Sequence, residues 1–171
     1  KSSQDMSVDE SFLNSFKNLL LDNELDPAFK AYALNFVTLK EYNYGLDKFE
    51  LENSSKALNF VLNKLGLEFQ DEFLSLINGL QSKGEFSLSH GAMGRRSLRN
   101  TCLSYLVASK TSTAIDLAYN IYINAKNMTE EHESFDLLAY SDNPYREKVI
   151  QSFYDKWKSE TLVMQKWLQS Q

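Results

Sequence analysis

One cysteine, two prolines, six glycines and two histidines are all that this 171-residue chain holds of those four residue types. Each shortage removes a class of explanation. A lone thiol cannot close an internal disulfide, which fits a reducing, cytoplasmic setting. Glycine and proline together stand at less than half their usual share, so few positions favour tight turns or extended backbone, and strands are not expected. No apolar run approaches the ~20 residues that cross a bilayer, and no secretory h-region is present, so the chain carries no membrane segment. Positive charge is scarce as well. With 18 Lys and Arg scattered among 23 Asp and Glu, for a net charge of −5, the chain lacks the concentrated positive face that phosphate neutralisation needs, which argues against nucleic acid as a partner. Asn53-Ser54-Ser55 and Asn127-Met128-Thr129 match the glycosylation sequon. Such three-residue patterns arise often by chance, and nothing else in the chain points to export.

What is present is apolar and aromatic. The length and the 43% apolar content suit one domain with one sizeable core, and the 13% aromatic share makes Phe, Tyr and Trp as important to helix packing as Leu. Phe12, Phe16, Leu19 and Leu20 recur at helical spacing, after which Asp26-Pro27 signals a new start. The carboxylate can accept from free amides, and proline at the first helical position lacks only a donor that had no partner. The second helix carries Phe29, Ala33, Phe36 and Val37 on one stripe and is predicted to stop before a turn at 42–47. Asn53-Ser54-Ser55 opens a third helix through Ala57, Leu58, Val61 and Leu62. A fourth runs through Phe69, Phe73, Leu76, Ile77 and Leu80.

Residues 82–91 form the one long loop, dividing 1–81 from 92–171. Beyond it, Leu98, Cys102, Leu103, Tyr105 and Leu106 mark a fifth helix, and Ile115, Ala118, Tyr119 and Tyr122 a sixth. Thr129, with Glu130 and Glu131 behind it, caps a seventh through Phe135, Leu138 and Ala139, the acids facing its positive end. Asn143-Pro144 repeats the Asp26-Pro27 device ahead of Val149, Phe153 and Trp157. A last helix presents Leu162, Val163, Lys166 and Trp167. Short loops between successive amphipathic helices predict an all-α fold of antiparallel helix pairs stacked as a HEAT- or armadillo-like superhelix, one helical domain over 1–171. No strict repeat is visible in the sequence.

Catalytic patterns are missing. A zinc peptidase needs H-E-x-x-H on a helix, two imidazoles one turn apart on the metal and the glutamate on the bound water. His132-Glu133 begins that pattern, but Asp136 stands where the second histidine belongs. His132 reads as a polar first-turn residue, and His90 as a solvent-exposed loop residue first and a weak ligand or hydrogen-bond donor second. Cys102 lies mid-helix beside Leu103, where a thiol acts as a small apolar group. No nucleophile elbow, Walker loop or dinucleotide fingerprint occurs. Catalytic residues and metal ligands within the chain are therefore expected to be none. Arg95, Arg96 and Arg99 form the only local basic cluster, with Arg95 and Arg99 on one helix face and Arg96 turned aside. Three readings compete for it, in this order: ion pairs or carbonyl contacts with a neighbouring helix or another domain, contact with a peptide carboxylate, contact with nucleic acid. Trp157 and Trp167 could anchor a ligand, but rings at helical spacing more often belong to a core.

Several segments, in order, resemble the C-terminal helical domain of the zinc-dependent alanyl aminopeptidases of the aminopeptidase N family. They are Leu25-Asp26-Pro27-Ala28; Arg96, Leu98, Arg99 and Asn100 with Cys102 and Leu103; Asn127-Met128-Thr129; Phe153-Tyr154 with Lys156-Trp157; and Leu162-Val163 with Lys166-Trp167. They span nearly the whole chain and correspond to the first half of that domain. The chain departs from the family pattern at Glu130, where Asp follows N-M-T, and at Gln165-Lys166-Trp167-Leu168, where D-K-W-F is usual. The resemblance implies a domain fragment of a zinc aminopeptidase that releases N-terminal residues from peptides. Zinc would then be bound by an upstream catalytic domain of the same polypeptide, and this segment would enclose the active-site chamber without catalysing. Arg95, Arg96, Arg99, Asn100, Asn127, Thr129, Trp157 and Trp167 stand as structural or interdomain candidates. The competing expectation is an independent α-solenoid that binds a protein partner along its concave face. The last helix, ending within an apolar Trp-containing segment, fits an unfinished domain better.

Overall fold

A computed structural model describes residues 6–35, 51–81 and 86–170. Among these the chain is all-α, with helices α1 (Glu10–Leu21), α2 (Pro27–Leu34), α3 (Leu51–Glu68), α4 (Gln70–Gly79), α5 (His90–Ala108), α6 (Ser112–Ile123), α7 (Met128–Tyr140), α8 (Arg146–Trp157) and α9 (Thr161–Gln169). Packing gathers them into two compact units, Lys1–Lys110 and Thr111–Gln171. Phe36, Val37, the turn expected at 42–47 and positions 82–85 of the expected loop lie outside the described residues.

The helix starts show which local signals govern. Asp9 and Asp26 each cap through a carboxylate oxygen, Asp26 accepting from the amides of Ala28 and Phe29 at 2.9 and 3.2 Å with Pro27 in the first turn. Asn127, not Thr129, caps α7, its side chain accepting from the Glu130 amide at 3.0 Å. Asn143-Pro144 does not repeat the Asp26 device. The Asn143 carboxamide accepts from the Tyr145 amide at 2.9 Å while its Nδ2 donates to the carbonyls of Leu138 and Ser141 at 2.7 and 2.9 Å. The side chain thus closes the end of α7 and forms a turn, and α8 begins only at Arg146. Asn53-Ser54-Ser55 lies inside α3 and does not open it.

In the first unit α5 is the central helix, with α2, α3 and α4 packed on it. Two glycines set the distances. A Cβ on Gly66 of α3 would come 2.1 Å from the Tyr105 carbonyl oxygen, and one on Gly94 of α5 would come 2.9 Å from the Ala28 amide nitrogen. The core they close around is aromatic. Phe73 stacks on Tyr105 with centroids 5.1 Å apart, Phe16 stacks on Phe69 at 5.5 Å, and the Tyr105 hydroxyl donates to the Leu34 carbonyl at 2.5 Å. The stripe expected on α2 is rotated. Lys30, Ala31 and Leu34 are buried, whereas Phe29 and Ala33 are exposed. Lys30 is accommodated because its ammonium donates to the Leu20 carbonyl at 3.1 Å.

In the second unit the helices alternate in direction. Along α7 and α8, Glu131 meets Trp157, Phe135 meets Phe153, and the Ala139 carbonyl meets Arg146, so the two run antiparallel. Tyr119 stacks on Tyr145 at 4.0 Å and Tyr122 meets Ser152 at 2.7 Å, which sets α6 parallel to α8. Asp136 accepts from Ser170 and the Trp167 indole donates to the Ile150 carbonyl at 3.1 Å, which places α9 antiparallel to α8 and alongside α7. Leu162, expected on the inner stripe of α9, points outward.

Candidate functional site

The residues marked by the sequence are divided between the two units, Arg95, Arg96, Arg99 and Asn100 in the first and Asn127, Thr129, Trp157 and Trp167 in the second. Arg95 is exposed on α5, Arg96 lies with its guanidinium 4.6 Å from the Phe86 ring centroid, and Arg99, one turn on from Arg95, is buried. Asn100 is half-buried beside it, and Thr129 is exposed on the first turn of α7. Cys102 is fully buried, and burial pushes its thiol up to about 12, far from the range of a nucleophile. His90 opens α5 rather than lying in a loop. It is exposed, with Nε2 3.6 Å from an Asp26 oxygen.

Two polar clusters occupy α7. In the first, Glu131 is buried at the base of the helix, and both its oxygens are used. The Lys156 ammonium donates at 2.9 and 2.8 Å and the Trp157 indole at 3.1 Å. Trp157, half-buried, is thereby fixed to α7 by a charge-assisted hydrogen bond. Sequence reasoning placed Glu131 only at a helix terminus. The signal that it belongs inside was its spacing from Phe135 and Leu138, which puts it on the buried stripe.

The second cluster surrounds His132. Its ring sits 6.3 Å from the Phe135 centroid and 6.2 Å, edge to face, from Phe153, with Nδ1 3.2 Å from an Asp136 oxygen. Its Nε2 is buried with no hydrogen-bond partner among the described residues. Burial lowers the His132 pKa below the ordinary histidine value, Asp136 working the other way and Lys166 adding to the lowering. Glu133, half-buried on the same turn, is raised, first by burial and then by the charge of Asp136. The expectation of a merely polar first-turn histidine is therefore incomplete, since the ring is part of the packing between α7 and α8.

These groups do not make a zinc site. Asp136 lies one turn from His132, where a zinc peptidase would present a second imidazole, and among the described residues no three His, Cys, Asp or Glu side chains are placed to share a metal ion. What the arrangement does supply is rigidity, through buried aromatic stacks, a buried carboxylate with its donors satisfied, and close helix contacts at glycine.

An all-α fold built from successive packed helix pairs, with its buried polar groups devoted to packing, defines a helical-repeat module. The chain belongs to the family described as a domain of unknown function (DUF3458_C), ARM repeats, whose model matches residues 1–171. It is 28% identical over 164 residues to aminopeptidase N of Escherichia coli, covering 96% of this chain and 19% of that protein. It is 28% identical over 160 residues to aminopeptidase N of Caulobacter vibrioides, covering 93% and 18%. In fold it is similar to Legionella pneumophila aminopeptidase A, solved in complex with aspartic acid, with a TM-score of 0.80 at 22% identity over 94% of this chain and 20% of that one. These matches support the resemblance to the C-terminal helical domain of the aminopeptidase N family. The chain spans about a fifth of the length of the curated relatives it matches.

Proposed function

We propose that this chain is the non-catalytic helical domain of a zinc-dependent aminopeptidase that releases N-terminal residues from peptides, and that it encloses the chamber in which hydrolysis takes place. The observation that carries the reading is a match to two aminopeptidase N proteins that runs through 93% or more of this chain while covering less than a fifth of theirs. The chemistry would then reside in a catalytic domain of the same polypeptide, which would hold the zinc and polarise the scissile carbonyl. The part played by these helices is physical. A wall of rigid, closely packed helices excludes bulk water and limits the length of peptide that can reach the metal. Arg95 and Thr129, exposed on the surfaces of their respective units, and Arg96 beside Phe86 are assigned to contacts with the catalytic domain. Asn127, Trp157 and Trp167 are assigned to shaping the helices that make those contacts. The setting is cytoplasmic in this reading.

The test compares the whole protein with the isolated 171-residue chain, using an alanyl amide reporter. The whole protein should lose turnover on chelation and recover it with zinc, while the isolated chain should neither hydrolyse the reporter nor retain zinc after dialysis. Chelator-sensitive turnover by the isolated chain would overturn the division of roles. A whole protein without turnover that instead captures a folded protein partner would point to the independent scaffold.

A further inference from the structure

The end of α9 is held to α7 by a short polar chain. The Ser170 hydroxyl donates to one oxygen of Asp136, and the other oxygen lies 3.2 Å from His132 Nδ1. His132 in turn is set among Phe135 of α7 and Phe153 of α8, and its buried Nε2 faces no acceptor among the described residues. A neutral imidazole tolerates that position, because a bare ring nitrogen without a proton loses little. An imidazolium does not, because it must bury a charged N–H that nothing accepts. The charged groups around the ring come from two elements. Asp136 and Glu133 lie on α7, and the Lys166 ammonium lies on α9, while α8 presents the Phe153 ring. Asp136 favours the protonated ring, and Lys166 together with burial opposes it.

We propose that His132, Asp136, Lys166 and Ser170 form a pH-sensitive latch that keeps α9 docked in neutral solution and lets it go on acidification. The coupling is selective for α9 because Lys166 and Ser170 both travel with it. Releasing that helix removes the ammonium that repels the protonated ring and frees the ring to turn toward water. The sign follows from the direction of the histidine shift. A histidine whose docked value lies below its free value of about 6.5 contributes stability above that range and loses it as the pH falls further. Glu133 works in the opposite sense. Its raised value means that acidification favours the folded form, so release in acid cannot be assigned to it.

The experiment is hydrogen exchange on the native polypeptide between pH 7.5 and 5, corrected for intrinsic rates and read over residues 161–170. Opening of α9 should grow on acidification by about tenfold for each pH unit that separates the docked and released histidine values. His132→Phe, which keeps an aromatic ring in the same place, should abolish the acid-induced opening and leave only the opposite-signed response of Glu133. Lys166→Gln, a change at an exposed residue that leaves the core intact, should shrink the pH response while preserving protection at neutral pH. Should exchange of 161–170 be independent of pH in the unsubstituted protein, or should Lys166→Gln leave the response at full size, the latch does not exist. An H132F profile that still follows pH as the native protein does would overturn it equally.

Discussion

Individual side chains in this chain are placed by burial more than by type, and two of them make the point measurable. Cys102 was legible as a core residue from its apolar neighbours, and its thiol, pushed up to about 12, carries a thiolate fraction at pH 8 about three orders of magnitude below that of a free cysteine. Alkylation by iodoacetamide should therefore be slow in the native protein and fast in denaturant, and comparable rates in both would mean that the fifth helix does not bury the sulfur. Glu131 was legible only as a helix-terminal acid, because charge suggested the surface while its position on the stripe of Phe135 and Leu138 pointed inward. Glu131→Ala should cost about 1–3 kcal/mol in chemical denaturation, since it strands the Trp157 indole N–H. The figure stays below that for a fully buried pair because Lys156, at 55% side-chain exposure, can return to water. Glu131→Gln retains an acceptor for the indole and should cost less. An equal loss in the two variants would show that charge, not hydrogen bonding, is what holds Trp157.

At the scale of the element, helix existence and the buried stripes of α1, α4, α5 and α7 follow from the sequence pattern, because 3.6-residue spacing of large apolar groups leaves one solution for which face turns inward. α2 was misjudged for a physical reason. Its eight residues, Pro27 to Leu34, carry apolar groups on every side, so no periodicity separates the faces, and the side against α5 is chosen by the fit of Ala28 against Gly94. A lysine then enters the buried face by carrying its ammonium to a carbonyl, which no pattern argument anticipates. The same contacts give a graded prediction for Gly→Ala substitutions. Gly66→Ala would drive a methyl into the Tyr105 carbonyl at 2.1 Å and should cost about 1–3 kcal/mol or more, because backbone must move. Gly94→Ala meets the Ala28 amide at 2.9 Å and should cost less. Gly79→Ala meets nothing within 4 Å and should be neutral or stabilising by up to about 1 kcal/mol through helix propensity. Thermal denaturation of the three variants should rank them in that order, and a Gly66→Ala protein as stable as the native one would mean that α3 and α5 are not in close contact.

For the molecule as a whole, the order of segments from Leu25-Asp26-Pro27-Ala28 to Lys166-Trp167 carried the family, and no single residue did. Repeat geometry was legible only as short links between amphipathic helices, since packing needs complementary faces but no fixed sequence period. At one position the sequence departs from the peptidase pattern. Asp136, where a peptidase helix would carry its second histidine, uses its two oxygens on Ser170 and beside His132, so it is committed to packing the second unit. That commitment yields a prediction for the whole polypeptide. If the metal is held outside this chain, removing both histidines of the chain must leave metal binding unaltered. A His90→Ala, His132→Phe double variant, with phenylalanine chosen to fill the space beside Phe153, should bind as many zinc equivalents per chain as the native protein by elemental analysis after dialysis. The side chains at these two positions answer different questions, since His90 is exposed beside Asp26 and His132 is half-buried with its Nε2 inside. Loss of zinc from the single His90→Ala variant, where no packing is disturbed, would place a ligand within these helices and return the catalytic role to them.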